Sequence, residues 1–209
     1  MLIYHFEDNI PLFRCSLCGR CDGFIESKSY INKNRGCCWY YPKYTLMDIK
    51  NIISLGREDF IRELSTKENV YKSNYFLEVR GYFDEEGYKK SNLKQDIDFD
   101  TKLFFRLCPF WQENGCKIEF KLRPHPCNLY LCREVIELCK DGYSEFSKER
   151  RDYFSYMNYF NEVIKHELME KRMDLTSDFE GTLDFIKNYQ VPNFEPRLLR
   201  ELHFINQAS

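Results

Sequence analysis

Apolar positions along the chain first become periodic after Tyr44. Leu46, Ile49, Ile52 and Ile53 recur at helical spacing, Thr45 can cap and Asp48 stands at the third position, so a helix is predicted from Thr45 to Gly56. A second short helix is expected over Glu58 to Leu64. From Tyr75 to Phe83 the period shortens to two, with Tyr75, Leu77 and Val79 on one face, and Asp84-Glu85-Glu86-Gly87 reads as the turn that ends this strand. Leu103 to Leu107 and Lys117 to Leu122 read as further strands flanking the loop from Cys108-Pro109 to Gly115-Cys116. Together they predict a small antiparallel sheet.

After Pro126 the helical period returns, with Leu129, Cys132, Val135, Ile136 and Cys139 on a shared face. A long helix follows from Tyr143 to about Arg172. It carries Phe146, Tyr153, Phe154, Tyr156, Met157, Tyr159 and Phe160, more large side chains than one narrow stripe needs. Core packing is the first reading of that surplus, and a protein partner docked on this helical part is the second. Ser177 with Glu180 forms a capping-box signature for a helix to Tyr189 that Pro192 ends, and another helix is expected over Glu195 to Ile205.

The stretch before Tyr44 differs. It holds Cys15, Cys18, Cys21, Cys37 and Cys38 with little periodicity, which suits loops folded around a ligand. The expected fold class is therefore α+β: cysteine-rich metal-binding loops and a small antiparallel sheet packed with helices, followed by a mostly helical C-terminal part. No repeat, low-complexity tract or Gly/Ser linker marks a boundary. The softest division falls near Tyr143, between a cysteine-cluster metal-binding region, 1–142, and a helical C-terminal extension, 143–209, packed on the same core.

Composition narrows the function. With 18 Phe and 15 Tyr, disorder is excluded and the core is expected to be built from rings. Lys and Arg number 31 against 33 Asp and Glu, so there is no basic field to hold a nucleic acid backbone or an anionic membrane surface. The start, Met-Leu-Ile-Tyr-His-Phe-Glu-Asp, lacks a basic n-region and a long apolar run, and no stretch of about 18 apolar residues appears later. A cytoplasmic protein is expected. In that reducing compartment ten cysteines read as metal ligands rather than disulfide staples.

Cys15-Ser16-Leu17-Cys18-Gly19-Arg20-Cys21 places three thiols where successive sulfurs can converge on one centre, and Gly19 can turn backbone N–H groups toward a bound sulfur. A free thiol ionises near pH ~8.5, so thiolates gathered this closely require a cation among them. Arg14 and Arg20 would offset the remaining negative charge. A tetrahedral site takes four donors, so a distant cysteine must close the first site, and Cys108-Pro109 is a candidate. Cys116, Cys127 and Cys132, with Cys37 or Cys38, supply enough donors for a second site, and spacing leaves one centre or two open. Cys139 reads as a core side chain. His5, His166 and His203 read as surface or packing residues, whereas His125, held between two prolines beside Cys127, is a candidate extra ligand or proton carrier. Asp96, Asp98 and Asp100 read as a solvated loop, lacking the glycine and terminal glutamate of a calcium loop.

Four segments in order, Cys15-Ser-Leu-Cys18-Gly19-Arg20-Cys21, Cys108-Pro109-Phe110, Gly115-Cys116-Lys117-Ile118-Glu119-Phe120 and Arg123-Pro124-His125-Pro126-Cys127, resemble the YkgJ-like cysteine-cluster proteins, described as zinc- or iron-chelating domains. The match spans about Phe13 to Cys132. In two places the chain departs from the pattern: Asp22 stands where an adjacent cysteine is expected, with Cys37-Cys38 appearing later, and Asn128 follows Cys127 where arginine is usual. The resemblance implies a metal- or cluster-binding domain, holding either an iron–sulfur cluster of the 4Fe–4S type or zinc, with room for a redox role. The cysteine pattern is also similar to that of flagellin lysine N-methylases, which implies a cluster-dependent protein lysine methyltransferase using S-adenosylmethionine. The chain has no G-x-G-x-x-G or P-loop run to hold such a cofactor. A non-catalytic zinc module for protein interaction is the remaining alternative.

Overall fold

The computed structural model describes residues 1–16, 41–90, 102, 105–112 and 115–204. Strands β1 (Leu2–Glu7) and β2 (Ile10–Cys15) form an antiparallel hairpin in register from Leu2↔Cys15 to Glu7↔Ile10. Its turn residues Asp8 and Asn9 both have positive φ, 51° and 63°, a two-residue turn whose twist suits the strands and which Asp and Asn tolerate. Irregular loops were the expectation here, and up to Cys15 the structure corrects it. Ile10 and Pro11 are buried side by side, so the alternation that signals a strand is blurred.

Strand β3 (Lys43–Thr45) leads into helix α1 (Leu46–Ser54), where the expected capping box forms: Thr45 Oγ1 accepts from Asp48 N at 3.3 Å and the Asp48 carboxylate accepts from Thr45 N at 2.9 Å. Leu46, Ile49, Ile52 and Ile53 are buried, as the spacing predicts. Helix α2 (Glu58–Ser65) buries Ile61 and Leu64. Strands β4 (Val70–Ser73) and β5 (Phe76–Val79) join β3 in the order β3-β5-β4, with Leu77 and Val79 facing the core.

Beyond it, β6 (Tyr82–Phe83) runs into a short helix, α3 (Glu85–Lys90), in place of the expected turn, because Asp84 Oδ1 accepts from Gly87 N at 2.9 Å and starts the helix. Strand β7 (Arg106–Leu107) pairs with β6. The two approach so closely at Gly81 that a Cβ there would stand 2.7 Å from the Leu107 carbonyl oxygen and 2.5 Å from Tyr41 Cε1. Gly81→Ala is expected to destabilise the protein by about 1–3 kcal/mol through this overpacking, read from the urea unfolding midpoint.

Strands β8 (Trp111–Gln112) and β9 (Gly115–Cys116) form a minimal hairpin. The strand expected over Lys117 to Leu122 is not one: Phe120–Leu122 is a 3-10 turn. Its carbonyls are taken by side chains instead of a neighbouring strand. Arg123 Nε donates to Ile118 O at 2.8 Å, Asn128 Nδ2 to Phe120 O at 2.8 Å and the Tyr44 hydroxyl to Leu122 O at 3.1 Å. Among the described residues the strands therefore make several small antiparallel sheets rather than one.

The face shared by Leu129 to Cys139 is split between α4 (His125–Leu129) and α5 (Arg133–Cys139), with Cys132 at the N-cap position of the second. Helix α6 (Tyr143–Glu170) buries Phe146, Glu149, Tyr153, Met157, Ile164 and Leu168 in one stripe, while Phe154 and Tyr159 stay exposed. Helix α7 (Phe179–Asn188) is capped by Asp178, which accepts from Gly181 N at 3.0 Å, rather than by Ser177; Glu180 instead pairs with Arg62 at 2.9 Å. The helix expected over Glu195 to Ile205 is absent from its described part. The chain instead crosses back to the hairpin, where Leu202 and Leu2 exchange backbone hydrogen bonds of 3.0 and 2.8 Å. Glu149, fully buried, accepts from the Tyr4 hydroxyl and from Arg197 N, tying hairpin, helix and returning strap together.

The result is an α+β fold whose apolar cluster runs continuously from Leu2 to Ile186. No helix among the described residues is long and apolar enough to cross a membrane.

Candidate metal centre

Cys108 follows β7 and is buried; Cys116 ends β9; Cys127 lies within α4; Cys132 immediately precedes α5; Cys15 ends β2. Local hydrogen bonds fold the first two arms together: Trp111 N donates to Cys108 O at 3.0 Å and Lys117 N to Phe110 O at 2.8 Å. The Arg123 and Asn128 contacts described above then hold the Cys116 arm against the Cys127 helix.

Tyr44 is fully buried, and its hydroxyl donates to Leu122 O at 3.1 Å, on the segment between Cys116 and Cys127. Its phenol is held well above the ordinary tyrosine range by burial first, and then by the negative charge of Cys127, Asp48, Cys116 and Cys108 nearby. Burial pushes the Cys139 thiol up, and the charge of Cys15 pushes it further. The helix that carries Cys127 packs directly on β2, the strand that ends at Cys15.

A buried carboxylate–imidazole pair joins α1 to α4. His125 Nδ1 sits 3.0 and 3.2 Å from the two Asp48 oxygens, His125 N donates to Asp48 Oδ1 at 2.7 Å, and Thr45 Oγ1 donates to Asp48 Oδ2 at 2.7 Å. Burial alone would raise the Asp48 carboxyl, but the charge and hydrogen bonds of His125, with help from Thr45, hold it below the usual range. Asp48 thus fixes the ring and seats the first turn of α4 on α1, while Arg150 Nε holds the last turn through Leu129 O at 2.7 Å. A carboxylate on one imidazole nitrogen is also how ligating histidines are oriented.

Burial also raises Tyr4 and Tyr153, Tyr4 further through Glu149 and Tyr153 further through Asp48. Free tyrosine ionises near pH ~10, so the unfolded chain loses these protons first; stability is intact below that pH and falls as pH rises toward the higher folded values. In an alkaline titration Tyr4, Tyr44 and Tyr153 should yield tyrosinate absorbance only as the helical circular dichroism is lost.

Cys18, Cys21, Cys37 and Cys38, with Gly19 and Arg20, lie outside the described residues, as do Asp96, Asp98 and Asp100. Among the described residues no three His, Cys, Asp or Glu side chains are grouped tightly enough to hold an ion by themselves. His5 is exposed and bonded to Glu7 at 3.1 Å, and His166 and His203 are exposed. The buried polar residues that organise the site, Tyr44, Asp48 and Asn128, were not legible as such. Asp48 was readable as a capping residue, and Asn128 only as the residue standing where the resemblance expects arginine. Compared with protein-family models, with curated proteins and with solved structures, the chain matches none.

Proposed function

We propose that this protein binds a metal centre, an iron–sulfur cluster or zinc, through clustered cysteine thiolates in the reducing cytoplasm. The observation that carries the reading is the tying of the Cys116 to Cys127 segment by hydrogen bonds of Arg123, Asn128 and Tyr44, with the Cys127 helix laid on the strand that ends at Cys15 and runs on toward Cys18 and Cys21. Thiolates gathered on one centre are unfavourable as anions unless a cation compensates them. The donor set is Cys15, Cys18, Cys21, Cys37, Cys38, Cys108, Cys116, Cys127 and Cys132, and all-sulfur donors suit both zinc and iron–sulfur clusters. The ordered segments that resemble the YkgJ-like family support the same reading. A cluster would supply electron transfer, and zinc would supply a cross-link between the arms. The chain's own residues provide the rest: Tyr44, Arg123 and Asn128 hold the arms in place, and the Asp48–His125 pair seats α4.

Protein purified without oxygen or chelators tests this by elemental analysis and visible absorption. Iron with broad visible absorbance identifies a cluster; colourless protein with stoichiometric zinc identifies the structural ion. Neither metal at a meaningful fraction of the chain concentration overturns the proposal.

A further inference from the structure

Beside α4, Asp48, Asn51, Lys121, Arg123, His125 and Asn128 line a small pocket with a cavity volume of ≈ 10 Å³. Asn128 is wholly buried, and its Oδ1 finds no hydrogen-bond partner among the described residues. The amide cannot simply turn over, because Nδ2 already donates to Phe120 O at 2.8 Å and reversal would set two oxygens against each other. An unpaired buried carbonyl of this kind is costly, so the pocket calls for a hydrogen-bond donor.

The lining selects which donor. A pocket of this size admits about one water molecule and nothing larger. A metal cation is disfavoured, because both Asp48 oxygens are already engaged by Thr45 and His125 and because Lys121 and Arg123 stand on the wall. We propose that the pocket binds a single ordered water that donates to Asn128 Oδ1 and bridges α4 to α1. Polar groups of Asn51, His125 and Arg123 around it supply the further partners a buried water needs. The water completes a clamp in which Asn128 reaches the Cys116 arm through Phe120 O and reaches α1 through the solvent molecule. Asn128 is a positioning residue for the neighbouring Cys127.

The consequence for metal retention rests on the metal-centre reading; the water does not. Crystal structures of the wild-type protein and of Asn128→Leu, with metal release to a chelator, separate the two. The wild type should show one water at ~2.7–3.2 Å from Asn128 Oδ1, and Asn128→Leu should lose it and hold metal about 10-fold more weakly. A dry wild-type pocket or a reversed Asn128 amide overturns the inference even if metal is bound. Protein that binds no metal refutes the metal centre, while its electron density still decides the water. Should Asn128→Leu fail to fold, the wild-type density decides alone, and unchanged release from a folded Asn128→Leu removes the positioning role.

Discussion

Asp48→Ala is expected to lower stability by about 3–5 kcal/mol, because it leaves several buried donors without their shared acceptor, each costing about 1–3 kcal/mol. Asp48 is 3% exposed and accepts from Thr45 N, Thr45 Oγ1, His125 N and the His125 ring. The substitution removes the carboxylate half of the α1 capping box, leaving the bond from residue 48 N to Thr45 Oγ1, and strands the imidazole in the core. Because His125 starts the helix that carries Cys127, metal content should fall as well. The wild-type protein should also show an acid limb of definite sign. With the folded carboxyl held below its usual range, the stability from Asp48 is present above the unfolded aspartate value of ~3.9 and is lost as pH falls through the lower folded value. Urea unfolding across this range should find the limb reduced in Asp48→Ala. A loss under about 1 kcal/mol would show that the pair is not holding α4.

Serine in place of Cys108, Cys116 or Cys127 should remove most of the bound metal and destabilise the fold by several kcal/mol. Serine's hydroxyl stays protonated where a thiol ionises, so it cannot replace the lost thiolate, and structural zinc in small domains contributes on the order of 10 kcal/mol to folding. Chelation of the wild-type protein should produce the same loss. Cys139→Ser is the control. Cys139 sits in the apolar cluster and is 6% exposed, so this variant should keep its metal and cost only the burial of a hydroxyl, about 1–3 kcal/mol. Metal per chain and unfolding with and without chelator measure both effects. Full metal retention in all three variants would remove Cys108, Cys116 and Cys127 from the donor set.

Where local signals governed structure, the residues announced it. Thr45 and Asp48 are three apart and cap α1 as their spacing predicts, and the apolar stripe of α6 needs only its own period. The failures have non-local causes. The β1–β2 hairpin is hidden because its second strand buries successive residues; the strand expected before Pro124 is lost because Tyr44, Arg123 and Asn128 take its carbonyls. The returning strap closes on Leu2 from Leu202, a pairing no window of sequence contains. The candidate site divides in the same way. Cysteines are legible by type and spacing, whereas the Asp48–His125 pair joins residues 77 positions apart.

X-ray absorption at the metal edge of anaerobically prepared protein tests thiolate ligation most directly. The account predicts a first shell dominated by sulfur at ~2.3 Å, weakened in Cys127→Ser. A first shell of oxygen and nitrogen alone, unchanged by that substitution, would contradict it.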